Sequence, residues 1–223
     1  MHNTEQLNKL LDAIKDKTIF TPVMLAATTG MRLGEICGLK WENTNLENGF
    51  IQLEHQLQEE NKDLKLVPLK TLSSQRKIVL LDYTIEELKK LKLKQEENKK
   101  YLGGNYHDED FVVCQSNGLP YHPTYISRNY RRILKDNKYR INVNGKAKNV
   151  SLYEALKIPL IRFHDLRHTH ATFLLSQNTN PKIVSERLGH SSIKTTLDIY
   201  SHVLPGMQEH AIDNLNKKFP PKE

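Results

Sequence analysis

Residues 161–170 read IRFHDLRHTH, with three histidines and two arginines in ten positions beside Asp165. Such a cluster could hold a metal, pack a core, or grip an anion. On a helix, His164 and Arg167 stand three apart and His168 stands four from His164, so the three share a face. A metal site would use His164 and His168. The segment is not H-E-x-x-H, however, because position 165 is Asp and no glutamate base follows it. The neighbouring arginines would also repel a cation. His168 and His170 read as structural histidines packing a helix. His164 and Arg167 are left as candidates for an anion.

Other segments sharpen that choice. Arg32 opens a short helix in TGMRLGEI, with Glu35 three residues on and able to receive a guanidinium N–H that holds the fork still. LGHSS puts His190 just past a helix end, and TTLDIYSHV puts Tyr200 ten residues later. Each segment alone is weak, since a lone tyrosine on a helix is usually core.

These residues need a scaffold. Leu7, Leu10, Leu11 and Ile14 recur at helical spacing over residues 4–16. A second helix over about 19–28 ends at Gly30, which suits a left-handed cap. RLGEICGLKW is a further short helix. GFIQLEH, LKLVPLKT and RKIVLL predict a three-stranded antiparallel sheet, with LSSQ joining the last two strands. A charged helix covers 84–100, YLGGNYHDED is a loop and FVVC a short strand. Residues 123–136 are helical and NKYRINVNGKAKN is a loop. Helices follow over 164–177, over 181–188 with Pro181 in the first turn and Gly189 at the end, and over about 192–202. A last helix over 206–218 is apolar at Met207, Ala211, Ile212 and Leu215. The expectation is a mainly α fold with a small three-stranded antiparallel sheet (α+β), as a single domain over 1–223.

Composition limits the function classes. The 223 residues are 38% hydrophobic, enough for one sizeable core, and no apolar run approaches a membrane span. Cys37 and Cys114 are far apart and read as reduced thiols of a cytosolic protein. The net charge of +7 is unevenly placed, with residues 121–150 carrying 8 Lys/Arg against 1 Asp. With tyrosines interleaved, this block has the footprint of a phosphate-backbone contact, through Arg128, Arg131, Arg132 and Lys135. The 61–100 block carries 11 Lys/Arg against 6 Asp/Glu and reads equally well as a solvated surface.

Taken in order, TGMRLGE, PLKTLSSQRKIVL, HDLRHTHATFLL and LGHSSIKTTLDIYSH resemble the tyrosine recombinase (phage-type integrase) family over about residues 5–205. The resemblance implies that Tyr200 is the nucleophile and that Arg32 and Arg167 bind the phosphate. It implies that His164 opens the H-x-x-R box and is the candidate base, that His190 donates to the phosphate, and that Glu35 supports Arg32. Lys70 matches the family lysine that protonates the leaving oxygen, although Lys65 and Lys77 lie close by. The implied partners are double-stranded DNA and other protomers in a synaptic tetramer, with no membrane. The implied chemistry runs through a 3′-phosphotyrosine, with no cofactor and no metal, because arginines carry the charge work.

The mechanism requires Arg32, His164, Arg167 and His190 to converge on one basic cleft. Two other readings are a type IB topoisomerase-like nicking-closing enzyme and a DNA-binding module without catalysis; Tyr200 with both arginines argues against the second. The family's N-terminal core-binding domain is expected to be absent from this chain. The tail over 203–223 is expected to pack on its own domain or be exchanged between protomers.

Overall fold

The computed structural model describes residues 2–71, 73–136, 138–143, 146–200 and 212. The helix expected over 206–218 lies outside these residues, Ile212 apart. Helix α1 (Thr4–Ala13) begins at an Asn3 cap and buries Leu10 and Leu11. Helix α2 (Phe20–Thr29) is buried on every side, so it is the central rod of the core rather than an amphipathic surface helix. It stops at Gly30, which adopts the left-handed conformation (φ 71°). A β-carbon there would lie 2.6 Å from a Leu188 methyl and 2.8 Å from the His170 ring, so the close approach also requires glycine. Helix α3 (Leu33–Cys37) follows at once.

The β structure differs in membership from the expectation. Strands β1 (Thr44–Asn45), β2 (Phe50–Leu53) and β5 (Arg76–Val79) form the three-stranded antiparallel sheet, in the order β1-β2-β5. LKLVPLKT is not in it. That segment supplies β4 (Asp63–Pro68), which pairs with β3 (His55–Glu60) as a separate hairpin. Asn61 and Lys62 connect the hairpin, and both have positive φ, as the right-handed twist of a two-residue connection requires. Residues 69–75 therefore link two sheets rather than two neighbouring strands.

Helix α4 (Asp82–Leu102) is the charged helix, and α5 (Pro123–Lys135) carries the basic block. FVVC is held by isolated bridges at Phe111 and Cys114 instead of a strand. The segment expected as a loop after α5 is a hairpin of β6 (Tyr139–Val143) and β7 (Lys146–Val150). Its register pairs Tyr139 with Val150 and Val143 with Lys146. After the short helix α6 (Leu152–Ala155) come α7 (Asp165–Ser176), α8 (Pro181–Leu188) and α9 (Ile193–Tyr200). Helix α7 packs on α2, while α8 packs on β5. Ala171, Leu175, Val184, Leu188 and Tyr200 form a small core of their own that locks α7, α8 and α9 together.

Candidate active site

The C-terminal end of α8 is the hub of the site. The last carbonyls of a helix have no intrahelical partner, and here three consecutive ones receive arginines. Arg76 Nε donates to the Arg187 carbonyl at 2.7 Å, Arg167 Nη2 to that of Leu188 at 2.6 Å, and Arg32 Nη2 to that of Gly189 at 3.2 Å. The negative end of the helix dipole favours these cations. Gly189 closes α8 in the left-handed conformation (φ 69°), and a β-carbon there would come within 2.7 Å of Arg76 Nη1. Three arginines from β5, α7 and the start of α3 are thus gathered around one helix end.

Among the described residues a single carboxylate is bonded to them. Glu35 is fully buried and accepts from Arg76 Nη1 and Nη2 at 3.0 and 2.9 Å, and from Arg32 Nη1 at 2.9 Å. It also accepts the Arg32 backbone N–H at 2.7 Å, which fixes the entry to α3. Burial works to raise the Glu35 pKa, but the hydrogen bonds and charge of Arg76, with Arg32, outweigh it and hold the carboxyl below its ordinary range. Three guanidiniums against one carboxylate leave an excess of positive charge. Arg167 is almost fully buried, and burial followed by the repulsion of Arg32 pushes its pKa down. Arginine stays protonated regardless. The cluster therefore stands as a cationic group, with Arg76 and Arg167 buried and Arg32 partly exposed, that an anion would relieve.

His190 sits directly after Gly189, with Nδ1 2.9 Å from the Thr196 hydroxyl. Burial first, then Arg167, Arg32 and Arg76, lowers its pKa to about 4, so the ring is neutral at pH 7. With the Thr196 hydroxyl as donor, Nε2 carries the ring proton and can donate to an anion. Tyr200 ends α9 with its ring buried in the small core, and burial raises its pKa to about 12.

His164 is the exposed N-cap of α7, and its ring stands edge-on to His168 at 5.1 Å. It lines a cleft with Arg131 and Arg162. The ring nitrogen on the Tyr200 hydroxyl is His168 Nδ1, at 2.7 Å. His168 is thus hydrogen-bonded, and its partner is the candidate nucleophile. His170 is buried, with Nδ1 2.9 Å from the Ala27 carbonyl while Nε2 accepts from Arg187 Nε at 3.0 Å. The signal for His168 was present in the sequence, since residues 164, 167 and 168 share one face. Arg76 also escaped as a site member. Its strand alternates buried and exposed, so Arg76 shares the inward face with Ile78, and an inward charge demands a partner such as Glu35.

Lys70 is exposed just beyond β4, and no hydrogen bond or ion pair joins it to the other candidates among the described residues. Lys65 is paired with Glu60 at 3.0 Å, and the Lys77 ammonium sits 3.8 Å from the centroid of the Phe50 ring. On α5, Arg128, Arg131, Arg132 and Lys135 form an exposed stripe opposite the buried Ile126, Tyr130 and Leu134. Arg128 and Arg132 line a cleft with His122 and with Tyr125, which stacks on Tyr121 at 5.4 Å. Among the described residues no group of acidic, histidine or cysteine side chains is arranged to hold a metal, and no helix is long and apolar enough to cross a membrane.

The comparisons agree with this architecture. The chain is 28% identical to the tyrosine recombinase XerC-like protein of Caldanaerobacter subterraneus subsp. tengcongensis, over 96% of the chain and 53% of the relative. It is also 28% identical to the ICEBs1 integrase of Bacillus subtilis, over 95% of the chain and 53% of the relative. The chain thus spans about half the length of these curated relatives. Among solved structures, the Tn1549 transposon integrase in complex with a circular intermediate DNA shares the fold at a TM-score of 0.68 and 21% identity, covering 96% of this chain and 65% of that one. The XerA recombinase shares it at a TM-score of 0.61 and 19% identity, over 100% of this chain and 65% of that one. The model of the phage integrase family matches residues 2–207, so the chain belongs to the phage integrase (tyrosine recombinase) family.

Proposed function

We propose that this chain is the catalytic domain of a site-specific DNA recombinase, cutting and rejoining strands through a 3′-phosphotyrosine on Tyr200. The observation that carries the reading is the gathering of Arg32 and Arg167 on consecutive carbonyls, Gly189 and Leu188, with His190 next in the chain. A phosphodiester is anionic, and attack adds charge to its non-bridging oxygens. The hold of two planar donor forks and a neutral histidine donor strengthens as that charge develops, which lowers the barrier. Glu35 and Arg76 brace Arg32 from behind. Of the candidate lysines Lys65, Lys70 and Lys77, Lys70 alone has no ion pair or ring contact among the described residues, which supports its role as the acid that protonates the departing 5′ oxygen.

Arg131 shares a cleft with His164, so the α5 stripe leads toward the catalytic pocket and offers a track for duplex backbone. The same reading assigns the chain a cytosolic place of action and partner protomers in a synaptic tetramer. The test uses nicked duplexes from a randomised pool, with covalent protein–DNA adducts recovered on a denaturing gel. The wild-type chain should form adducts, and Tyr200→Phe should form none while retaining duplex on a filter. Adducts that persist in Tyr200→Phe would overturn the assignment.

A further inference from the structure

Resting on that reading, we infer that His168, through Nδ1, accepts the Tyr200 proton during strand cleavage and returns it during rejoining. The two atoms already stand 2.7 Å apart, within the reach a proton acceptor needs in the reacting geometry. His168 is carried on the same helix as Arg167, one residue along, so a single rigid element would hold both the phosphate and the nucleophile. His164, edge-on at 5.1 Å, backs the His168 ring rather than touching the phenol.

The need for an acceptor is chemical. A buried phenol is protonated at neutral pH and attacks phosphorus poorly until it loses that proton. The accounting closes with groups already named. The Tyr200 O–H proton passes to His168 Nδ1 as the Oη–P bond forms. The P–O5′ bond breaks, and the departing oxygen takes a proton from Lys70. In rejoining, the incoming 5′-hydroxyl returns its proton to Lys70, its oxygen displaces Tyr200, and His168 reprotonates the phenolate. No oxidant, metal or nucleotide enters.

His168 must be neutral to accept. The groups facing it are His164, Asp165 and Arg167 on α7, Arg162 just before that helix, Tyr200 from α9, and His190 after α8. Burial, the largest influence, and the two arginines outweigh Asp165 and hold the imidazole below its ordinary value.

The experiment measures adduct formation against pH on the nicked duplexes, for wild type, His168→Gln and His168→Ala. Wild type should slow as pH falls through the titration of this imidazole. His168→Gln keeps a hydrogen-bonding side chain but no titrating base. It should form adducts about 10²-fold or more slowly, lose the acid limb, and retain duplex as wild type does. Added imidazole should restore part of the His168→Ala rate, increasingly as the pH rises. An acid limb retained at normal rate in His168→Gln overturns the role of His168, even if wild-type adducts form. Failure of imidazole to rescue a folded His168→Ala also counts against it. Absence of wild-type adducts on every duplex overturns the recombinase reading itself.

Discussion

Arg76 grips both oxygens of Glu35, at 3.0 and 2.9 Å, and both side chains lie inside the protein. The pair spans 41 residues of sequence and ties β5 to α3, so the sheet and the Arg32 helix move as one body. A buried carboxylate survives only because the guanidinium repays its lost hydration.

Glu35→Gln would leave Arg76 buried without a countercharge. The expected loss of stability is about 3–5 kcal/mol, read from urea unfolding. The double replacement Glu35→Gln with Arg76→Met should recover much of that loss, because both charges leave together. The pH dependence has a definite sign. The folded pKa of Glu35 lies below its ordinary value of 4.5, so its ionised form contributes stability that is complete above that value and is lost as pH falls through the folded one. The Glu35→Gln protein should therefore unfold with a flatter acid limb.

His170 titrates in the opposite chemical sense with the same outcome. It is buried between the Ala27 carbonyl and Arg187, and burial, the largest cause, lowers its pKa from 6.5 to about 4. Between those values the unfolded chain binds a proton that the folded chain refuses. Stability should fall as pH drops from 6.5 to 4, by on the order of 3 kcal/mol from this residue. Unfolding free energy measured across that window should show a shallower slope in His170→Gln. An unchanged slope would mean that the ring is charged where it lies.

The helical architecture was legible because α1, α5 and α8 announce themselves by periodicity, a Pro first turn or a glycine end, all of which are local signals. The sheet was less so. LKLVPLKT has the composition of a strand, but nothing local tells it to pair with His55–Glu60 rather than join β2 and β5. Pairing is decided by the Asn61-Lys62 connection, where two non-glycine residues take positive φ. The site divided in the same way. Arg32, Arg167 and His190 could be named from their motifs, but their meeting point could not, because it is a set of main-chain carbonyls on α8 that carries no side-chain signature. The contact of His168 with Tyr200 could not be read from the sequence either, because it joins residues 32 apart on two different helices.

Gly189 lies at the centre of this arrangement, so Gly189→Ala should be costly beyond its size. The left-handed backbone alone should cost about 1–2 kcal/mol. The added β-carbon would sit 2.7 Å from Arg76 Nη1 and 3.0 Å from its Cζ, forcing the guanidinium off Glu35 or off the Arg187 carbonyl. Arg32 and His190 hang on the same turn and should shift with it. Adduct formation on nicked duplex should fall by about tenfold or more while duplex retention changes little, since misplacement penalises chemistry before binding. Equal losses of rate and retention would mean that the turn serves binding alone.

The α5 stripe gives a prediction that leaves the catalytic pocket untouched. Arg131 and Arg132 are exposed neighbours near the end of the helix, Arg131 on the cleft shared with His164 and Arg132 on the cleft shared with Tyr125. Arg132 is also bonded to Asn129 Oδ1 at 2.8 Å, and Asn129 in turn reaches Thr18 at 3.0 Å, so its guanidinium is held in place before any ligand arrives. If these arginines meet phosphates, each contact releases counterions, and the logarithm of affinity falls with the logarithm of salt by about 0.9 per contact. Replacing both with alanine should weaken duplex binding alike for every sequence in a randomised pool and reduce the salt slope by about one to two units. Loss confined to particular sequences would instead mark base-edge contacts. A slope that does not move would return the stripe to the role of an ordinary solvated surface, with the DNA track placed elsewhere on the domain.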